Sequence, residues 1–512
     1  MSDWTDGYVA EIGYTFGYYG ELNPLRIAAP FVNAALAPPS VATACELGFG
    51  QGLSVNIHAA ASPVSWYGTD FNPAHAAFAQ SLTEAAGSGA QLFDQSFAEF
   101  CGRPDLPDFD YIALHGVWSW VSEENRRVIV DFVRRKLKVG GLLYISYNCQ
   151  PGFAAMLPLR HLLTEHAGMM AAPSLGIVAR IDAAVEFAER LLALNPGFAV
   201  ANPTIAERLN LIKGHDRHYL AHEYFNRDWT AMLFREIAEH LAPAKLTFAC
   251  SAHYLDHIDA LNLTADQHQF LGEIPDPTFR QSVVDFMVNQ QFRRDYWVKG
   301  ARHLSALEQT EALRLLRVIM LTSPRSAVIA TVRGALGERE LSPAVYNPIL
   351  DALADHRPKT IGEIEKAVSG AELALGAIYE AVMVLIGKGD LALVQGDAAQ
   401  AAAKVRTDKL NRWIFDKARS TDELGALASP VTGGGIPASR FHQLFLLART
   451  QGHKKPDEMA RFAWELLAAQ GQQVLKGGKP LETPEESLAA LIEEARLFLD
   501  TGLPVFQALQ IA

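Results

Sequence analysis

The chain has 512 residues, 49% of them hydrophobic and 20% charged, values of an ordinary globular protein and not of a disordered one. That length is too great for one compact core, and the formal net charge of -12 argues against a general affinity for nucleic-acid phosphates. Four scattered cysteines, Cys45, Cys101, Cys149 and Cys250, have neither CxxC nor Cys/His ligand spacing, so reduced thiols of a cytoplasmic protein are expected, without structural zinc. The opening MSDWTDGYVAEIGYTFGYYG lacks the basic flank and apolar run of a signal peptide, and no apolar stretch is long enough for a membrane span.

Strand and helix patterns alternate from residue 41. Strands are expected at 41–47, 64–69, 90–93, 109–114 and 141–147, with helices at 53–61, 73–86 and 123–138 between them. This order predicts an α/β fold with a mostly parallel, Rossmann-like sheet. A helical stretch over about 151–220 reads as an insertion near the sheet's carboxyl edge, where a lid would sit. A helix at 229–241 and a strand at 245–249 then complete a first domain of 1–250. A helical middle domain follows at 251–340, including a helix over 281–298 whose Phe292, Arg293, Arg294 and Asp295 read as a salt-bridged face against a neighbouring domain, ahead of a contact with an acidic substrate or partner. Helices at 345–355, 360–368 and 372–387 and a strand at 390–394 suggest a winged-helix-like module over 341–400. Its last helix carries Glu372 and Glu380 and has Lys388 only at its end, so it lacks the side chains of a groove reader. Residues 397–405 read as a linker, and 401–512 as a helical domain broken by a turn-rich loop at 429–437.

Function is concentrated in Glu46-Leu47-Gly48-Phe49-Gly50-Gln51-Gly52, where a strand should turn into a helix. Alternate glycines let backbone approach a ligand, and the helix that follows presents free N–H groups. Asp70 ends the next strand about twenty residues on, where an acid accepts ribose hydroxyls, with Phe71 and Asn72 beside it. Ser96-Phe97 and His115-Gly116 follow the third and fourth strands and are placed at an adenine edge and an amino-acid moiety. Solvent-facing acids with turn-forming glycines, or a dinucleotide site, are the rival readings; against the latter, the turn is GxGxG and lacks the third glycine of GxGxxG.

ELGFGQG and GTDFNP resemble the glycine and acidic motifs of class I S-adenosylmethionine-dependent methyltransferases, with Ser96 standing where that superfamily often has an acid. The stretch LHGVWSWVSEENRRVIVDFVRRKLKVGGLLYISYNCQPG at 114–152, YLAHEYFN at 219–226 and NQQFRRDYWVKG at 289–300 are similar to bacterial methyltransferases carrying a methyltransferase regulatory domain. The resemblance spans most of 10–300. It implies S-adenosylmethionine as cofactor and S-adenosylhomocysteine as product. It also implies a homodimer and, as in some members of that group, lysines of outer-membrane proteins as acceptors. A small molecule or surface saccharide as acceptor, and a cofactor-binding regulatory protein without chemistry, stand as alternatives.

Methyl transfer from a sulfonium is an in-line displacement that needs alignment and exclusion of water. Tyr147 and Asn148, ending the fifth strand, are expected to orient the acceptor, with His222 or Glu223 taking its proton. Trp118 and Trp120 are candidates for a substrate cage, weighed against plain packing. The aromatic run Tyr14, Phe16, Tyr18 and Tyr19, with Glu21, is expected to close over the cofactor or to tuck against the sheet.

Overall fold

The computed structural model describes residues 12–170 and 175–512. Residues 1–11 of the opening stretch and 171–174 of the helical insertion lie outside the described residues. A seven-stranded sheet forms the body, in the order β3-β2-β1-β4-β5-β7-β6. Its strands are β1 (Thr43–Leu47), β2 (Ser65–Thr69), β3 (Gln91–Phe93), β4 (Phe109–Leu114), β5 (Leu137–Asn148), β6 (Thr247–Ser251) and β7 (Phe292–Val298). The first five run parallel, and β7 is antiparallel to both its neighbours. Near-continuous apolar runs such as FDYIAL suit strands covered on both faces. Local signals place the flanking helices. Asn72 caps helix Pro73–Ala86, which stops at Gly87 with φ of 62°. Ser122 caps helix Glu123–Lys136, whose acids fill the first turn and whose bases fill the last.

The expected helix over 281–298 ends at Val288, with Asn289 in the left-handed region at φ 50°, and the chain then enters β7. The Phe292–Asp295 segment is thus a strand within the sheet, and the sheet runs past residue 250. Its Arg293 and Asp295 are buried because they are paired. Arg293 donates to Asp285 at 2.5 Å and to Asp295 at 2.8 Å, with its guanidinium 4.5 Å above the Phe234 ring. The helix expected at 229–241 begins only at Phe234, since Met232 bridges to Cys149 beside the sheet.

Residues 151–170 and 175–224 form a helical layer with its own core, built on Leu159, Leu163, Ile181, Val185, Leu209 and Leu220. Beyond β7 the expected all-helical middle region also carries β8 (Arg317–Met320) and the hairpin of β9 (Thr331–Gly334) and β10 (Gly337–Glu340). β8 is the central strand of a three-stranded antiparallel sheet completed by β11 (Lys359–Thr360) and β12 (Leu391–Leu393). Helices Pro343–Leu353, Ile361–Ala367 and Leu375–Lys388 pack on it.

The stretch read as a linker at 397–405 is the start of the 21-residue helix Asp397–Lys417, in keeping with the low entropic cost of ordering alanine. The 429–437 segment closes a hairpin between β13 (Ala426–Ser429) and β14 (Gly434–Pro437). Both elements pack on helix Leu53–Ala61, sharing one core in which Leu53 and Ile57 meet Ile414, Leu427 and Phe445. All nine residues of that helix are buried, because the sheet covers one side and the C-terminal region the other. All four cysteines are buried free thiols. No helix among the described residues is long and apolar enough to cross a membrane.

Candidate functional site

The turn after β1 takes positive φ at Gly48 (75°), Gly50 (57°) and Gly52 (73°), which bends strand into helix within a few residues. Gly48 and Gly50 face a cleft of about 370 Å³ at the carboxyl ends of β1, β2 and β4. A Cβ on Gly48 would stand 2.6 Å from the Val117 side chain. Gly52 does not line the cleft. Its missing Cβ makes room for Ala79, 2.4 Å from where it would sit, so this glycine seats one helix against the next.

Asp70 organises the loop. Its carboxylate accepts the Gly50 N–H at 2.9 Å and the Asn72 N–H at 3.0 Å, and His75 Nδ1 lies 3.1 Å away. Phe71 and Phe97 line the cleft with it, whereas Asn72 caps its helix and stays off the wall. Ser96 reaches the cleft, but its hydroxyl and N–H are engaged by Glu99 in a capping box.

Glu46 is the deepest carboxylate. It is 3% exposed, and its Oε2 has no hydrogen-bond partner among the described residues. Burial first, and then the nearby Asp70 charge, push its pKa up to about 8. Across the cleft His115 is sandwiched between Tyr19, at a ring separation of 4.0 Å, and Tyr144, whose hydroxyl lies 2.8 Å from its Nδ1. Burial lowers the His115 pKa to about 4, so the ring is neutral at pH 7. The Gly116 N–H donates to Ser146 Oγ at 2.9 Å.

Residues 14–19 form a roof, with Tyr14, Thr15, Gly17 and Tyr19 lining the cleft, so two of the four aromatic residues of the expected run face it. Phe16 and Tyr18 turn the other way. Phe16 packs edge-on against Phe78, and the Tyr18 hydroxyl accepts the Gly435 N–H at 2.6 Å. His222 secures the roof, its Nε2 lying 3.1 and 3.3 Å from the carbonyls of Ile12 and Gly13, with the Tyr14 ring edge-on to it. Glu223 follows it on helix Arg217–Tyr224, half-buried, its carbonyl accepting the Trp120 indole N–H at 3.3 Å. Burial raises its carboxyl to about 7.

None of the five expected catalytic residues lines the cleft: His222 and Glu223 sit on the neighbouring helix Arg217–Tyr224, and the other three stand inside the fold. Tyr147 is fully buried and donates its hydroxyl to Asp295 at 2.6 Å. Trp118 is fully buried as well, packed edge-on against His240. Asn148 is tied into the sheet edge, its N–H donating to Ser119 Oγ and its carbonyl accepting the Met232 N–H. The physical reason is common to them: β5 is central, so its end is covered by β7 and by the chain returning at 230–233. Trp120, by contrast, lines the cleft, as do Gln95, Glu124, Asn125 and Asp228, which sequence reasoning missed. The first turn of the helix after β4 faces the ligand edge in any sheet of this order, a signal that was available for Glu124 and Asn125.

The lining therefore carries four carboxylates, Glu46, Asp70, Glu124 and Asp228, and among its described residues no Lys or Arg. An anionic pyrophosphate would find no cation here. A ligand with an ammonium and a sulfonium would find opposite charge, a glycine cradle and a free buried oxygen.

Residues 216–299 match the family described as predicted methyltransferase regulatory domain. The whole chain is 39% identical over 514 residues to the uncharacterized protein sll1526 of Synechocystis sp. (strain ATCC 27184 / PCC 6803 / Kazusa), covering 99% of this chain and 100% of that one. The chain belongs to one family with sll1526 and carries the predicted methyltransferase regulatory domain over residues 216–299. PKMT2 from Rickettsia typhi, solved in complex with AdoHcy, shares the fold with a TM-score of 0.69 at 16% identity, over 96% of this chain and 99% of that one. The uncharacterized protein RP789 of Rickettsia prowazekii is 23% identical over 290 residues, 55% of this chain and 51% of its own. The regulatory-domain match spans β6 and β7, so in this chain that segment supplies the last two strands of the sheet itself.

Proposed function

We propose that this methyltransferase binds S-adenosylmethionine in the cleft between Glu46, Asp70 and Tyr19 and methylates the side-chain amine of a protein lysine. The observation that carries the reading is the acid-lined cleft without Lys or Arg, with the unpartnered Glu46 oxygen at its base. When bound, the cofactor supplies an electrophilic methyl group on a sulfonium. Glu46 accepts the cofactor's ammonium, Asp70 accepts ribose hydroxyls, and Phe71 and Phe97 wall the adenine. Tyr14, Tyr19 and Trp120 exclude water around the acceptor. Glu223, whose backbone carbonyl holds the Trp120 indole and whose charge acts on Tyr19, accepts the proton the amine must lose; its pKa of about 7 suits that task near neutral pH. His222 is neutral, since burial lowers it to about 4, and its role is to hold residues 12–14 in place. The proposal extends to a cytoplasmic homodimer, and light scattering of the purified chain tests the dimer.

Calorimetric titration with S-adenosylhomocysteine, with Glu46→Gln and Gly48→Arg beside the wild type, tests the site. Tritium transfer onto an envelope-protein extract tests the acceptor. Label on lysine supports the full reading, label confined to small molecules or saccharides replaces the acceptor class, and absence of binding overturns both.

A further inference from the structure

An amino-acid moiety carries its ammonium and its carboxylate on one carbon, so a cleft that takes the first must receive the second beside it. Glu46 answers the ammonium. No Lys or Arg lines the cleft among its described residues, so the carboxylate has to be met by neutral N–H groups. A glycine loop often supplies them, but here three are spent. The Gly48 and Phe49 N–H groups donate to the Thr69 carbonyl at 2.8 and 3.4 Å, and the Gly50 N–H to Asp70 at 2.9 Å. The Gly116 N–H goes to Ser146 Oγ, the Ser96 N–H and hydroxyl to Glu99, and the Trp120 indole to the Glu223 carbonyl.

His115 is free to donate. Its ring is partly exposed in the cleft wall, and Nε2 has no hydrogen-bond partner among the described residues, while Nδ1 lies 2.8 Å from the Tyr144 hydroxyl. The neighbouring hydroxyls fix which nitrogen carries the proton. Ser146 is fully buried and its oxygen takes the Gly116 N–H, so its own hydrogen turns to the Tyr144 oxygen, with which it shares a hydrogen bond. Tyr144 is fully buried too, and its O–H in turn donates to His115 Nδ1. A neutral imidazole that accepts at Nδ1 carries its hydrogen on Nε2. The Tyr19 ring, stacked at 4.0 Å, holds the plane of the imidazole.

The position suits such a donor. Glu46 stands beside Ala113 in the β1–β4 register, so His115 follows two residues further along the neighbouring strand, and both line the cleft. Arg294 and Glu21, whose charges both reach the ring, pair with each other at 2.7 Å and cancel. We propose that His115 Nε2–H receives the carboxylate of the cofactor's amino-acid portion, with Tyr144 as a positioning residue that holds the imidazole in the donating tautomer. This rests on reading the cleft as an S-adenosylmethionine site, and it puts a neutral histidine where a cation is missing.

The test is calorimetric titration of the full chain with S-adenosylhomocysteine and with its decarboxylated analogue, which keeps the ammonium and lacks the carboxylate. The quantity read is the ratio of the two affinities. His115→Phe keeps a ring against Tyr19 and removes the N–H; it should lower the preference for S-adenosylhomocysteine about tenfold or more. His115→Gln, whose amide supplies an N–H donor again, should restore part of that preference, and Tyr144→Phe should lower it by less than His115→Phe does. A merely structural loss would weaken both ligands together and leave the ratio where it was. Near-ultraviolet circular dichroism checks that each variant is folded; if His115→Phe is not, a ratio unchanged in both His115→Gln and Tyr144→Phe decides against the proposal and a lowered one supports it. A ratio unchanged in folded His115→Phe overturns the proposal and leaves the cofactor reading standing. Turnover lost with the ratio intact also overturns it and gives the ring to the acceptor. Absence of S-adenosylhomocysteine binding by the wild type removes the cofactor reading as well.

Discussion

The backbone N–H of Gly50 meets the Asp70 carboxylate at 2.9 Å, so the acid ending the second strand holds the glycine loop that ends the first. Asp70 serves both as a loop anchor and as a wall of the cleft. Asp70→Ala removes both roles, while Asp70→Asn keeps one oxygen for the loop. S-adenosylhomocysteine affinity should fall about tenfold or more in Asp70→Ala and by less in Asp70→Asn, read by calorimetry.

Glu46 makes cofactor binding pH-dependent. Its pKa is raised from 4.5 to about 8, so the ligand-free protein is mostly protonated there at neutral pH. That shift favours folding below about 4.5, and its benefit is lost as pH rises through about 8. A ligand ammonium beside Glu46 lowers the pKa again and drives the proton off. Titrations at pH 7 in buffers of different ionisation enthalpy should show release approaching one proton per S-adenosylhomocysteine, and Glu46→Gln should show none from this site.

Turnover on a lysine acceptor should rise as pH passes through about 7, where Glu223 loses its proton. Glu223→Gln removes that limb of the profile and lowers kcat, by about a hundredfold on the scale typical of a general base. A pH profile that is the same in the variant would rule Glu223 out as the proton acceptor.

The parts legible in the sequence share one property: their pattern is set by local chemistry. β1 to β5 are apolar runs bounded by turn residues, and Glu46, Gly48, Gly50 and Asp70 sit at strand ends that the alternation fixes. β7 was hidden because its apolar alternation is interrupted by Arg293, Arg294 and Asp295, whose place in the sheet depends on pairing with one another, with Asp285 and with the distant Glu21 and Tyr147. Once β7 is known, the error at Tyr147 follows, since Asp295 opposite it takes its hydroxyl. The roof residues Tyr14 and Tyr19 carried an aromatic signal but no position, because their anchors, His222 and His115, lie in distant segments. Long-range pairing of this kind leaves no periodicity to read.

Tyr147 offers a direct contrast with a residue of the cleft. Tyr147→Phe leaves Asp295 with Arg293 as its hydrogen-bond donor and removes a bond to a buried charge, a loss of about 1.5–3 kcal/mol. The midpoint of denaturant unfolding should fall while S-adenosylhomocysteine affinity stays at the wild-type value. A fall in affinity with unchanged stability would return Tyr147 to the functional site.

The C-terminal region bears on the cleft through the helix that follows the glycine loop. Helix Leu53–Ala61 is buried on every side, and Ile414, Leu427 and Phe445 complete the core that Leu53 and Ile57 begin. The roof is fastened to the same region, with Tyr18 holding the Gly435 N–H and Asn23 donating to the Thr432 carbonyl at 3.0 Å. Ile414→Ala leaves a cavity beside that helix and should cost about 2–5 kcal/mol. Because both the loop and the roof rest on this core, S-adenosylhomocysteine affinity should fall with it, although Ile414 is not a lining residue of the cleft. Thermal unfolding with and without the ligand measures both effects. A destabilised variant with unaltered affinity would mean that the C-terminal region supports the fold without shaping the cofactor site.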